Sequence, residues 1–146
     1  MAKVQEQDYP EQLYYDVDNQ IWYQWLADDT IRVGMTPVAV ALAGEILVFT
    51  PKRTGREFEK GRSFATLEGG KWVGSARAAF DGMVVSSNEA LMARPELLAE
   101  DAFGAGWMLI VRAGQPDWRD GLITGPAVGP AFAEWIANEG YKGRDN

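Results

Sequence analysis

Lys71 stands where two glycines end one alternating segment and a second one begins. The stretch Glu68-Gly69-Gly70-Lys71-Trp72 sets a primary amine at or beside a tight turn, because glycine tolerates the backbone angles such turns demand. Its side chain is expected in water, and on pattern alone an ordinary solvated turn lysine accounts for it. Carboxylates offer another chemistry. Glu68 and Asp81 could act as an acid–base pair if they sat on neighbouring strands, but no spacing in the chain sets their separation. The chain has no Cys and no His. That removes disulfides, thiolate nucleophiles, imidazole metal ligands and the Ser-His-Asp triad. Any catalysis by the chain would have to use carboxylates, Lys, Tyr or Ser.

The elements that would position these residues read as mainly β. Ile21–Leu26 is rich in aromatic and β-branched residues, Asp28-Asp29 breaks it, and Thr30–Val33 resumes with alternation, as in a hairpin. Thr36, Pro37 and Gly44 bracket a short helix as N-cap, first residue and stop. Glu45–Phe49 is a strand closed by Pro51. Ser63–Glu68 and Trp72–Ala79 form a second hairpin around Gly69, Gly70 and Lys71. Gly82–Ser86 echoes the glycine–strand unit at Gly44–Val48, as in a quasi-symmetric pair flanking the hairpin. Pro95 starts a helical turn within 94–100, and Gly106–Val111 reads as a buried strand. The Gly- and Pro-rich segment 114–130 is a long loop that wraps the surface or has a task of its own. Phe132, Trp135 and Ile136 share one face of a helix over Ala131–Asn138, expected to be buried against the sheets. Trp107 and Trp135 are expected in the core. Arg77 and Asp81 are candidates for a groove lining or, more simply, a surface ion pair.

With 146 residues, 47% apolar and 24% charged, the chain suits one domain with a real core. That domain is expected to span 1–146, with a core over about 13–113 and a loop and helix over 114–146. No apolar run approaches a membrane span and no secretory signal is visible, so the cytoplasm is the expected location. The net charge of -7 and pI near 4.6 disfavour bulk nucleic-acid binding. Charge is uneven, however. Residues 1–29 carry seven carboxylates against Lys3, a net -6. Residues 50–62 carry Lys52, Arg53, Arg56, Lys60 and Arg62 against Glu57 and Glu59, a net +3. That basic island is either a solvated loop or a docking patch for an acidic partner.

The order of motifs from Ile21 to Val111 resembles a known family, the lipoyl-carrying H protein of the glycine cleavage system. The pieces are Trp22, Val33–Thr36, Leu42–Val48, Phe58–Gly61, Leu67–Lys71, Gly82–Val85, Asn88–Leu91, Pro95–Leu97, Asp101–Gly104 and Gly106-Trp107. None is specific alone; their sequence and spacing together are. The resemblance implies a hybrid barrel-sandwich (lipoyl/biotinyl-like) domain with a C-terminal helix. It implies lipoic acid joined by an amide bond to Lys71, and Glu68 as the residue read by the lipoate-attaching enzyme. Gly69, Gly70 and Trp72 become the arm's surroundings. The chain would be a cofactor-bearing carrier, not an enzyme, with no metal and with no nucleic-acid or membrane partner.

Departures from the family pattern are expected to gather around the arm, at Gly69, Gly70, Trp72 and Phe80-Asp81. On that ground the chain is more similar to a related group, the lipoate-binding proteins of sulfur-oxidising microbes. Its arm would then shuttle sulfur intermediates to a heterodisulfide-reductase-like complex, with a dihydrolipoamide dehydrogenase as a further partner. The alternatives are a glycine cleavage H protein carrying an aminomethyl group, and an unmodified H-like interaction module.

Overall fold

The computed structural model describes residues 2–4, 7–70 and 72–140. A small N-terminal ribbon pairs β1 (Ala2–Val4) with β2 (Gln7–Tyr9). There follow β3 (Tyr14–Asp16), β4 (Ile21–Ala27), β5 (Thr30–Met35), α1 (Pro37–Ala43), β6 (Ile46–Pro51), β7 (Glu57–Phe58), β8 (Ser63–Gly69), β9 (Val73–Arg77) and β10 (Gly82–Ser87). The remainder is α2 (Glu89–Ala93), α3 (Leu97–Glu100), β11 (Leu109–Ala113) and α4 (Val128–Trp135). An antiparallel six-stranded sheet runs in the order β3-β4-β5-β11-β10-β7, and a three-stranded one runs β6-β8-β9. They face each other across one apolar core, with Ile21, Tyr23, Val33 and Val111 from the larger sheet meeting Phe49, Phe64, Leu67 and Ala76 from the smaller. This is the mainly β, barrel-sandwich arrangement with short helices that the sequence implies.

β4 explains why the fold has two cores. Neighbouring strand residues point to opposite faces. Ile21 and Tyr23 therefore enter the core between the sheets, while Trp22 enters a second core behind them. The second core joins Val4, Tyr9, Tyr15, Val38, Val128 and Phe132. Trp22 fits only because Gly34 stands opposite it: a Cβ there would lie 2.3 Å from the indole ring. The indole N–H donates to the Ala102 carbonyl at 3.1 Å. At the other end of the strand, Asp28 takes the left-handed backbone (φ 53°) that turns the chain into β5. α1 is stapled between both cores by Val38 and Val40. Its Thr36 cap accepts from the Ala39 N–H, and Gly44 at φ 79° ends it.

Five expectations need correction. The last helix begins at Val128, ahead of Ala131; Pro130 sits in its first turn, where no intrahelical N–H is required. Phe132 is fully buried, but Trp135 and Ile136 are only partly covered, because the helix lies over the edge of the second core. Trp107 is likewise partly buried. The strand expected at Gly106–Val111 forms at Leu109–Ala113, because the chain before it is tied elsewhere. Gly106 N–H donates to the Asp101 carbonyl at 2.8 Å, and the buried Asn88 amide donates to the Ala105 and Trp107 carbonyls, each at 2.8 Å. The glycine–strand echo divides between sheets, β6 in the smaller and β10 in the larger.

The long loop wraps the surface. Trp118 plugs the main core against Tyr14 and Phe80, and Ile123 bridges Tyr15. The Arg119 guanidinium lies 4.5 Å from the Trp118 ring centroid, 5.3 Å from Tyr14 and 5.8 Å from Trp25. Among the described residues, no helix is long and apolar enough to cross a membrane.

Two predictions follow from this packing. Phe132→Ala should cost about 3–5 kcal/mol in denaturant unfolding, and Trp135→Ala distinctly less, because only Phe132 is enclosed. Equal losses would place both side chains in the core. The second concerns alkaline pH. Burial pushes the Tyr9 phenol up to about 12, and pushes Tyr15 and Tyr23 well above the usual tyrosine range. Unfolded tyrosines ionise near pH 10, so this stability is complete below that pH. It is lost as pH rises above about 10, up to about pH 12 for Tyr9 and beyond that for the other two, at up to about 1.4 kcal/mol per pH unit for each such tyrosine. Urea titrations at pH 9, 10 and 11 should show the fall, and Tyr9→Phe should make it shallower while Tyr15 and Tyr23 keep the remainder.

Candidate functional site

The hairpin of β8 and β9 carries the candidate site. Its register sets Leu67 opposite Gly74 and Glu68 opposite Val73. The Gly69 N–H donates to the Trp72 carbonyl at 2.7 Å and closes the turn, leaving positions 70 and 71 as the link. Lys71 itself lies outside the described residues. On its other side β8 pairs with β6, Ile46 opposite Gly69 and Val48 opposite Glu68. Glu68 is exposed, in a cross-strand row between Val48 and Val73. The hairpin is anchored by alternation: Phe64, Leu67 and Ala76 point into the core while Thr66, Glu68, Ser75 and Arg77 point out.

The glycines before the lysine have different tasks. A Cβ on Gly69 would lie 2.7 Å from the Glu45 carbonyl oxygen, so β6 and the turn can meet only at a glycine. Gly70 has no atom within 4 Å of the place its Cβ would occupy, so it faces open space. Trp72 lies against the hairpin's own backbone: a Cβ on Gly74 would sit 2.2 Å from the indole. It is both a packed strand neighbour and, at 37% exposure, a surface residue. With Val73 at 73%, and with Leu47 and Val48, it gives the turn an apolar flank. A hollow of about 160 Å³ opens beside β6, between Ile46, Leu47 and the segment Pro95–Ala99. Glu96 on its rim is held below the usual carboxylate range by its own backbone N–H and by Arg94.

The structure separates residues that the sequence left open. Asp81 lies at the far end of the hairpin, where it accepts the Lys60 N–H at 2.7 Å and its carbonyl accepts the Gly114 N–H at 2.8 Å. Glu68 is at the turn end, so the two carboxylates form no acid–base pair. Phe80 is buried against Tyr23 and Trp118. The departures at Phe80-Asp81 therefore do not adjoin the turn of the β8–β9 hairpin; only Gly69, Gly70 and Trp72 do. Arg77 and Asp81 both line a large groove, each with a backbone partner: the guanidinium donates to the Gly61 carbonyl at 3.1 Å. Sequence reasoning missed Gly74 as the seat for Trp72 and Glu45 as the wall behind Gly69. The first had a signal, since residues two apart in a strand share a face. The second had none, because β6 meets β8 only in the folded chain. No cluster of acidic residues among the described ones could hold a metal ion.

The family model described as glycine cleavage H-protein matches residues 13–130. Glycine cleavage system H protein 2 of Aquifex aeolicus is 38% identical over 132 residues, covering 89% of this chain and 81% of that protein. H protein 5 of the same organism is 39% identical over 120 residues, covering 80% and 81%. A crystal structure of a glycine cleavage system H protein from Mycobacterium marinum superposes with a TM-score of 0.73 at 26% identity, covering 90% of this chain and 99% of that one.

The turn geometry is testable by adding one methyl group at a time. Gly69→Ala should destabilise the protein by about 1–3 kcal/mol, because the Cβ meets backbone that cannot yield. Gly70→Ala should be close to neutral. Thermal unfolding of the pair checks this, and equal effects would contradict the close approach of Glu45.

Proposed function

This chain belongs to the glycine cleavage H-protein family, and on that premise we propose that Lys71 is its lipoyl attachment residue and Glu68 the acidic residue that the attaching enzyme reads. The family's cofactor is covalently attached lipoic acid. The observation that carries the residue assignment is the turn closed by Gly69 and Trp72. It leaves a two-residue link ending in a lysine, with Glu68 exposed three positions earlier. A modifying enzyme needs access to the amine, and the described neighbours leave room: Gly70 faces open space, and Trp72, Val73 and Val48 offer apolar surface to a hydrocarbon chain and its ring. When bound, the lipoyl group supplies the redox sulfur that this Cys-free chain lacks. The chain's own part is to display the amine, keep the turn rigid at Gly69, and present Glu68.

For the cargo, the names of the relatives support an aminomethyl group passed between enzymes of glycine cleavage, with a lipoate-attaching enzyme and a dihydrolipoamide dehydrogenase as partners. A second reading keeps the same arm and changes the cargo to a sulfur intermediate delivered to a heterodisulfide-reductase-like complex. What favours it is the sequence beside the lysine: two glycines before it, and after it a tryptophan seated on Gly74. Two H proteins from one organism among the relatives are compatible with carriers that serve different chemistry.

Peptide mass spectrometry of protein from its own host should find one lipoyl group, on Lys71 and not on Lys3, Lys52 or Lys60. Unmodified Lys71 in metabolising cells would end the carrier reading. Lys71→Arg should fold normally and carry nothing, because it keeps the charge and loses the acylatable amine. The cargo is decided by mixing fully lipoylated protein with glycine decarboxylase and labelled bicarbonate. Glycine–CO₂ exchange at the rate of an authentic H protein establishes the aminomethyl reading. Negligible exchange, with growth on reduced sulfur lost in the Lys71→Arg strain, establishes the other.

A further inference from the structure

The basic island is built into the fold and is not a loose loop. Lys52 N–H donates to the Phe64 carbonyl at 2.9 Å, Gly55 N–H to Val84 at 2.8 Å, and Gly61 N–H to Ala78 at 2.8 Å. Gly55 and Gly61 sit at φ 87° and 85°, so two tight turns hold the cations in place. Between them β7 is pinned to β10, where a Cβ on Gly82 would come within 2.7 Å of the Phe58 ring.

Lys52, Arg53, Arg56, Lys60 and Arg62 have no carboxylate within ion-pair distance among the described residues, whereas Lys3 and Arg112 each have one and Arg94 has two. Carboxylates outnumber cations in this chain, 21 to 14, so five unpaired cations in eleven residues are a local excess that the fold itself does not neutralise. Two of them, Lys52 and Arg62, join Arg77 and the Asp29-paired Arg112 in lining an open groove of about 1010 Å³. The run 50–62 keeps a net charge of +3 after Glu57 and Glu59 are counted, which favours an incoming counter-charge.

We propose that this groove and its basic rim are a docking surface for an acidic segment of a partner protein. Charge complementarity selects the occupant. Glu57, Glu59 and Asp81 interrupt the lining, and the chain as a whole carries -7, so a uniform polyanion such as nucleic acid meets repulsion here. A polypeptide with spaced carboxylates can place them on the cations and avoid the acids. The location suits the carrier reading without depending on it. Ser63 opposite Arg77 marks the groove end of the β8–β9 hairpin, and Glu68 opposite Val73 the turn end. Five residues of strand separate them, roughly 17 Å at about 3.3 Å per residue. A partner gripping the groove leaves the turn uncovered.

The test uses full-length protein, with its Lys71 modification state read by mass in the same samples. The probe is a short fluorescein-labelled peptide alternating Glu and Ser, followed by anisotropy and by amide chemical shifts. Binding that weakens with salt is expected, with shifts concentrated at 52–62, 77, 81–83 and 112–114. The combined variant Lys52→Gln, Arg56→Gln, Arg62→Gln should bind at least about tenfold more weakly, as expected for several exposed charge contacts removed together. Lys3→Gln with Arg94→Gln should bind as the wild type does, and circular dichroism should show both variants folded. Shifts elsewhere, equal binding by the groove variant, or equal binding by single-stranded DNA or inorganic phosphate would overturn the proposal. An unlipoylated Lys71 would remove the carrier reading and leave this result standing.

Discussion

A single steric fit, Trp22 against Gly34, governs how the chain is layered. The indole has room only because the residue opposite it has no side chain, and it is the largest fully buried side chain among the described residues. With Trp22 turned to one face of β4 and Ile21 and Tyr23 to the other, the strand is buried on both sides. One core then holds the two sheets together. The other holds the N-terminal ribbon and α4 on their back. Filling the space at Gly34 would push the indole out and uncouple the second core, whereas the core between the sheets has its own contacts.

The candidate site depends on the first of these cores. Phe64, Leu67 and Ala76 hold the β8–β9 hairpin by its inner face, so its outer face and turn are free to serve a partner. Gly69 then brings the turn hard against β6, and Trp72 covers Gly74. The result is a rigid base under a short link, with an apolar flank and one exposed carboxylate. Such a base suits an arm that must swing while its point of attachment stays put. The same hairpin runs from this turn to the basic groove, so one element connects the two surfaces through which the protein could meet other molecules.

Charge is unevenly spread along the six-stranded sheet. Acidic residues crowd the N-terminal segment, including Asp16, Asp18, Asp28 and Asp29, while the basic island surrounds β7 at the edge of the larger sheet. A protein with a net charge of -7 that nevertheless displays around β7 a run of cations without ion-pair partners among the described residues presents partners with an oriented field. That bears on which face a partner approaches, and leaves the fold untouched.

Much of this was legible in the chain. The hairpins at Asp28-Asp29 and Gly69-Gly70, the helix from Pro37 to Gly44, and the amphipathic C-terminal helix are local, set by turn chemistry and side-chain periodicity over a few residues. The motif order pointed to the family, and the spacing of Glu68 and Lys71 to the candidate site. What tertiary structure alone decided involves residues distant in sequence. Asn88 reaches the carbonyls of Ala105 and Trp107 and so delays β11. Trp135 is left half-covered because α4 lies at the edge of its core. Asp81 is drawn to Lys60 and Gly114, away from Glu68. The need for glycine at 69 comes from a carbonyl 24 residues earlier in the chain. Periodicity and turn propensity report each residue's immediate neighbours; which strand edge or carbonyl will stand opposite is a property of the folded chain.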